Sequence, residues 1–206
     1  MAGQPARRKV RRHREVRDRF GPGRGRASSG GEAGLSDPLF HIVLHEPEIP
    51  NNTGNIGRTC IACGCALHLV HPLGFDTSEK ACRRAGLDYW PRLRPIEHAT
   101  FDDYRSCHPG ARTWVFSTKA TRPAWDADFR RGDHLLFGKE TRGLPSSVLA
   151  HYPGRLLALP MVPDERSLNL ATAVCAAVYE GLRQLVARGD ARLDDRGRLI
   201  AAPLRL

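Results

Sequence analysis

FHIVLHEPEIPNNTGNIGRTCIACG, residues 40–64, decides the fold. FHIVLH (40–45) is a continuous apolar run with no polar alternation, the signature of a strand covered on both faces. A polar turn follows. Residues 53–63 then read as a helix, with Ile56, Cys60 and Cys63 on one side and Gly64 as terminator. A buried strand entering a helix is the first half of a parallel β–α–β unit. Working outward, ALHLV (66–70), TWVFS (113–117), HLLFG (134–138) and RLLALP (155–160) repeat the strand texture. Further helices are predicted over 78–85, 100–106 and 167–187. The last carries Ala171, Val174, Cys175, Val178, Leu182 and Leu185 in one stripe, with Ser167 at the N-cap position and Gly189 past the end. The fold class is therefore α/β, a mainly parallel sheet flanked by helices.

The domain boundaries follow from composition. The chain has 206 residues and a formal net charge of +10. Residues 1–37 hold 10 basic and 4 acidic side chains, a net of +6, and the rest hold 22 and 18, a net of +4. The segment 1–37 is Arg-rich, then Gly/Ser-rich, and is read as a disordered basic arm. Its GPGRGR piece lacks the flanking strand and helix of a nucleotide loop, and Glu15, Asp18 and Glu32 argue against a transit peptide. The domain proper is 38–187, and 188–206 reads as a polar C-terminal tail. No run of 18 apolar residues and no apolar signal region occur, so no membrane association and a cytoplasmic setting are expected. The positive balance points to a polyanionic partner such as RNA. Cys60, Cys63 and Cys65 are read as core thiols, not as a zinc or redox cluster, since no second CxxC follows. The nine histidines are read as scattered surface or core residues.

Three polar clusters exceed what an α/β core requires, and each follows a strand, at the edge where parallel sheets bind ligands. EPEIPNNTGNIGR (46–58) concentrates Asn51, Asn52, Thr53, Asn55 and Arg58. Capping explains Asn52 or Thr53; Arg58, one turn inside, is placed to fork onto a phosphate. LLFGKETRGLP (135–145) brackets Glu140 and Arg142 with Gly138 and Gly143, although a plain Glu140–Arg142 surface pair is an alternative. LALPMVPDERSLNLATAV (157–174) stiffens a loop with Pro160 and Pro163 before Ser167 and Asn169.

NTGNIGR, LLFGKETRGLP and LPMVPDERSLNL resemble the three motifs of the SPOUT superfamily of S-adenosylmethionine-dependent RNA methyltransferases, SpoU branch. The resemblance spans about residues 39–187 and is most specific, through HPLGFDTSEKACRRAGLDYW, to small enzymes that methylate the ribose 2′-OH of the tRNA wobble nucleotide. Two departures stand out: Lys139 replaces a usual proline, which alters the loop's rigidity or adds an RNA contact, and Gly57 replaces a usual aliphatic residue. The resemblance implies a C-terminal deep trefoil knot and a homodimer. It implies S-adenosylmethionine held by Phe116, Gly138, Leu159, Met161 and Ser167. It implies a catalytic group of Arg58, Asn55, Glu140 and Asn169, with Glu140 as an alternative base or as the orienter of Arg58. The substrate is expected to be a tRNA anticodon stem-loop, cytidine or uridine at position 34, in leucine isoacceptors. Arg142, Arg83, Arg84 and Tyr89, with Trp90 beside it, are the expected RNA contacts, Tyr89 and Trp90 being equally explicable as core or interface aromatics. No metal is expected, because the sulfonium carries its own charge. The rival readings are a SpoU-type enzyme acting on rRNA or another tRNA position, and a non-catalytic RNA-binding protein. A dinucleotide enzyme is disfavoured because no GxGxxG follows the first strand.

Overall fold

The computed structural model describes residues 38–78 and 87–200, and the statements below concern those residues. The basic arm 1–37 and, beyond Ser78, the helix predicted over 78–85, with Cys82, Arg83 and Arg84, lie outside them. The elements in chain order are β1 (Phe40–His45), α1 (Pro50–Cys63), β2 (Ala66–Val70), α2 (Trp90–Leu93), β3 (Ile96–His98) and α3 (Phe101–Cys107). They continue with β4 (Thr113–Phe116), β5 (Asp133–Phe137), α4 (Ser146–Leu149), β6 (Leu156–Leu157) and α5 (Leu170–Arg188). A short antiparallel hairpin, β7 (Arg192–Leu193) and β8 (Leu199–Ile200), closes the described part. Strands β1 to β6 form one sheet in the order β3-β2-β1-β5-β4-β6, every pairing parallel.

The strand period of two divides the sheet's residues between two unlike layers. Phe40, Ile42 and Leu44, with Leu67, Leu69, Leu135 and Phe137, pack on one face beneath α1 and α5, whose Ile56, Cys60, Val174, Val178 and Leu185 complete the main core. Val43, Val70, Val115 and Leu136 face the other way, onto Tyr104 of α3 and Val148 of α4. On this second face the apolar runs also carry His41, His68, His98 and His134, which lie ring to ring. Burial lowers the basicity of three of them, His68 to about 2, His134 to about 3, and His98 as well.

Local chemistry explains where elements begin and end. Helix α1 starts at Pro50, earlier than the sequence predicts, because a proline at N1 is pre-set for helical φ and gives up no needed N–H. Gly64 ends it in the left-handed conformation (φ 65°), as expected. Helix α5 is capped by Asn169, not Ser167: the Asn169 carboxamide oxygen accepts from the N–H groups of Ala171 and Thr172 at 2.9 and 3.3 Å. By length and composition α5 is also apolar enough to cross a membrane, but Val174, Ala177, Val178 and Leu185 are buried in the core. Strand β3 was not predicted; three residues, one of them Glu97, give no periodic signal. The expected tail over 188–206 is corrected in its described part, since Ala191 is buried and Leu199 packs on the core. Cys60, Cys63 and Cys65 are buried as expected, and burial pushes the Cys65 thiol up to about 12, so it stays protonated.

The α5–sheet contact is close enough to require glycine at one point. A Cβ at Gly181 would stand 2.6 Å from Cζ of Phe40, itself fully buried. Gly181→Ala is therefore expected to lower unfolding free energy by about 1–3 kcal/mol through overpacking, read by urea titration. An unchanged midpoint would show that the helix does not sit against Phe40.

Candidate active site

The sheet order contains a switch point. From β1 the chain steps outward to β2 and β3 on one side, while β5, β4 and β6 fill the other. The chain leaves β1 and β5 toward helices on opposite faces of the sheet, and the edge beside such a point is where parallel sheets bind ligands. A cavity of about 480 Å³ occupies it, within the usual range for a cofactor-sized ligand. Its walls come from the ends of four strands: Asn52 after β1, Phe116 on β4, Gly138 after β5, and Leu159 and Ser167 after β6. One wall is aromatic, with Phe116 and Phe137 stacked at 4.6 Å and 9°.

A chain of hydrogen bonds joins the three polar loops. The Glu140 carboxylate accepts from the backbone N–H of Glu48 (2.9 Å), from that of Ile49 (3.3 Å) and from Nδ2 of Asn52 (2.9 Å). Asn52 Oδ1 in turn accepts from Nδ2 of Asn169 at 2.9 Å, leaving Asn169 Oδ1 for its cap. Because an ionised carboxylate only accepts, each amide's orientation follows from the one before it. Asn52 is only 6% exposed, so this relay runs through a largely dry position. The loops are tied twice more. Lys139 Nζ meets Glu46 Oε2 at 2.5 Å, and Glu48 accepts from both the N–H and the hydroxyl of Thr141 at 3.1 Å. The Thr141 hydroxyl bond is the main reason the Glu48 carboxyl lies below its ordinary range. Glu46 holds a left-handed conformation (φ 51°), unusual for a residue with a side chain, at the point where β1 turns into this network.

Glycine is obligatory at the centre of the second loop. A Cβ on Gly138 would lie 2.2 Å from the carbonyl carbon of Gly143 and 2.4 Å from the Leu144 nitrogen, so backbone meets backbone there. Gly143 (φ 66°) makes the return, its N–H bonding back to the Lys139 carbonyl.

The sequence-derived residues sort into two neighbouring places. Phe116, Gly138, Leu159, Met161 and Ser167 all line the one cavity, with Glu140, Arg142 and Asn169. Asn55 and Arg58 do not; they are exposed on α1 and line an adjoining groove with Thr59, Thr172 and Tyr179. Asn169 borders both. Three open readings narrow, Tyr89 to its core alternative and Lys139 to its effect on the loop. Glu140 does not orient Arg58 or pair with Arg142, since its oxygens serve the 48–52 turn. Tyr89 is no exposed stacking platform: it is 5% exposed, donates its hydroxyl to the Gly54 carbonyl at 2.5 Å and carries the Arg58 guanidinium over its ring at 5.1 Å. Lys139 spends its charge on Glu46 instead of reaching outward. Asn52 is the residue that sequence reading missed, because helix capping seemed to account for it; α1 has no side-chain cap at all.

A parallel α/β domain with a preformed, glycine-lined cavity at its switch point defines the class of α/β enzymes that hold a nucleotide-like cofactor beyond the strand ends. The chain belongs to the SpoU rRNA Methylase family, whose sequence pattern matches residues 39–179. It is 47% identical over 148 residues to the tRNA (cytidine(34)-2′-O)-methyltransferase of Saccharophagus degradans, covering 71% of this chain and 96% of that one. Among solved structures, one described as giving insight into 2-OH methylation of C/U34 on tRNA aligns with TM-score 0.68 and 48% identity, over 75% of this chain and all of the other. An AdoMet-bound rRNA methyltransferase from Sinorhizobium meliloti aligns with TM-score 0.63 and 26% identity, over 74% of this chain and 59% of that one.

Removing the first link of the relay tests its structural weight. Glu140→Ala leaves three donors without their acceptor and is expected to lower stability by about 1–3 kcal/mol, with faster hydrogen exchange at the Glu48 and Ile49 amides. Exchange unchanged at those two amides would mean that Glu140 does not hold the turn.

Proposed function

We propose that this chain methylates the ribose 2′-OH of the wobble nucleotide of tRNA, cytidine or uridine at position 34, using S-adenosylmethionine. The observation that carries the reading is the convergence of all three motif loops on one cavity, with Asn169 shared between that cavity and the Arg58 groove. The curated relatives named for this reaction support it, as does the C/U34 structure. We extend it to leucine isoacceptors, to recognition of the anticodon stem-loop, and to a cytoplasmic setting, on the sequence resemblance alone.

The cavity suits the donor. Its volume accommodates a nucleoside-sized ligand, Phe116, Phe137, Leu144 and Leu159 supply apolar walls, and Gly138 lets backbone approach closely. Bound there, S-adenosylmethionine supplies an electrophilic sulfonium methyl, which needs no metal to activate it. Leu159, Met161, Ser167 and the backbone of 138–144 hold and orient. Arg58 stands on the rim of the adjoining groove, fixed over Tyr89, where its guanidinium grips a substrate phosphate and stabilises charge growing on the attacking oxygen. A guanidinium stays protonated, so the hydroxyl proton passes to the phosphate oxygen and not to Arg58. Asn55 and Asn169 position the ribose between groove and cavity. Glu140 is a positioning residue, both its oxygens already accepting from the 48–52 turn. Arg142, exposed at the cavity mouth, meets RNA, as do Arg83 and Arg84, while the basic segment 1–37 attracts RNA by charge. The fold completes itself as the trefoil knot implied by the resemblance, and two copies associate with the last helix, α5, contributing to the interface.

Labelled methyl transfer to total tRNA, with mass-spectrometric mapping, tests the reading. The expected product is a 2′-O-methyl at position 34; label on a base, or in rRNA alone, contradicts it. Arg58→Ala is expected to lower turnover at saturating tRNA by about 10²–10³-fold while leaving S-adenosylmethionine affinity intact. Full turnover in that variant removes Arg58 from the chemistry.

A further inference from the structure

The second face of the sheet holds a cluster that methyl transfer does not use. Strands β1, β2, β3 and β5 each place a histidine there, His41, His68, His98 and His134, and His108 closes over them just past the end of α3. His68 is fully buried, and His98 and His134 are each 5% exposed. None of the five lines the cavity or the groove described above.

We propose that His68, His98 and His108 bind one divalent transition-metal ion, best matched by zinc, through one ring nitrogen each. A ring nitrogen from each of the three lies within 4.8 Å of the other two. Two imidazole nitrogens on one tetrahedral zinc, each bonded at about 2.0–2.1 Å, stand roughly 3.3 Å apart. His68 Nδ1 and His98 Nε2 are already 3.0 Å apart. The third donor is unspent: Nε2 of His108 is buried without a hydrogen-bond partner, a cost that a metal bond removes. His108 follows the last turn of α3 and is half-buried, so a small rotation of its ring closes the remaining gap.

The surrounding hydrogen bonds suit ligation. His68 Nε2 and His41 Nδ1 are 2.9 Å apart. If His68 donates from Nε2, its Nδ1 lone pair faces the metal position and His41 acts as the outer partner that fixes the tautomer. The Nδ1–Nε2 contact with His98 then exchanges one bridging hydrogen bond for two metal bonds, as the His98 proton moves to its other nitrogen. The donor set is imidazole alone, with no carboxylate or carbonyl oxygen, which selects zinc, cobalt, nickel or copper over magnesium or calcium. The fourth position stays open to water. Such an ion ties the three-residue strand β3 to β2 and to the end of α3, reinforcing a sheet edge where backbone pairing spans only three residues. The site is independent of the methyl-transfer reading.

The test uses full-length, untagged protein stripped with a chelator and titrated with Co²⁺ and then Zn²⁺. The expected result is one Co²⁺ per chain with visible d–d absorption, displaced by one equivalent of Zn²⁺, and a Tm raised by Zn²⁺. His108→Ala, at the most accessible ligand, and His98→Gln should each weaken binding by about a hundredfold or more, and His41→Ala by about tenfold. His151→Ala, an exposed histidine outside the cluster, should change nothing. Absence of a stoichiometric site, or binding that survives both His108→Ala and His98→Gln, overturns the assignment.

Discussion

The hydrogen-bond relay from Glu140 through Asn52 to Asn169 is the constraint on which the cavity depends. Its members come from three loops far apart in sequence, 48–52, 138–145 and 160–169. No apolar contact could set their relative positions so narrowly, because the hydrophobic effect has no direction. An acceptor-only carboxylate at one end and a helix cap at the other fix the sense of every bond between them. Burial of Asn52 raises the stakes, since each group left unpaired there costs about 1–3 kcal/mol.

The relay works because the sheet has already brought the loops to one edge. All six main strands are parallel, so every following loop emerges on the same side, and the cavity lies beside the switch between β1 and β5. Glycine then permits what side chains would forbid. Gly138 lets the second loop fold back on itself, and Gly181 lets α5 lie on Phe40. Two neighbouring spaces result, a cavity with one aromatic wall and an exposed groove with Arg58 on its rim, and Asn169 belongs to both.

Much of this was legible in the sequence, for identifiable reasons. Continuous apolar runs marked five of the six main strands, and the family resemblance, carried by the polar clusters behind them, pointed to Phe116, Gly138, Leu159, Met161 and Ser167, all of which line the cavity. What escaped reading was pairing across distance. Asn52 looked like a cap because Asn in a first turn usually is one, whereas Pro50 starts α1 without any. Ser167 and Asn169 are both good caps, two residues apart, and the bonds from the Ala171 and Thr172 amides fall to Asn169. Tyr89 read equally as an RNA contact or a core aromatic, and its burial and its bond to the Gly54 carbonyl favour the core. His41, His68 and His134 were hidden by the apolar runs that contain them, and His98 by a strand too short to read. Their gathering depends on strand register, His41 beside His134 and Val43 beside His68, which composition does not encode.

The most direct measurement is a double-mutant cycle on S-adenosylmethionine binding, using calorimetry on Glu140→Ala, Asn169→Ala and the double variant. The two residues touch Asn52 and have no hydrogen bond to each other. If one relay shapes the cavity, the double variant should bind little worse than the weaker single variant, a coupling of about 1 kcal/mol or more. Losses that simply add, to within about 0.5 kcal/mol, would contradict a relay running through Asn52.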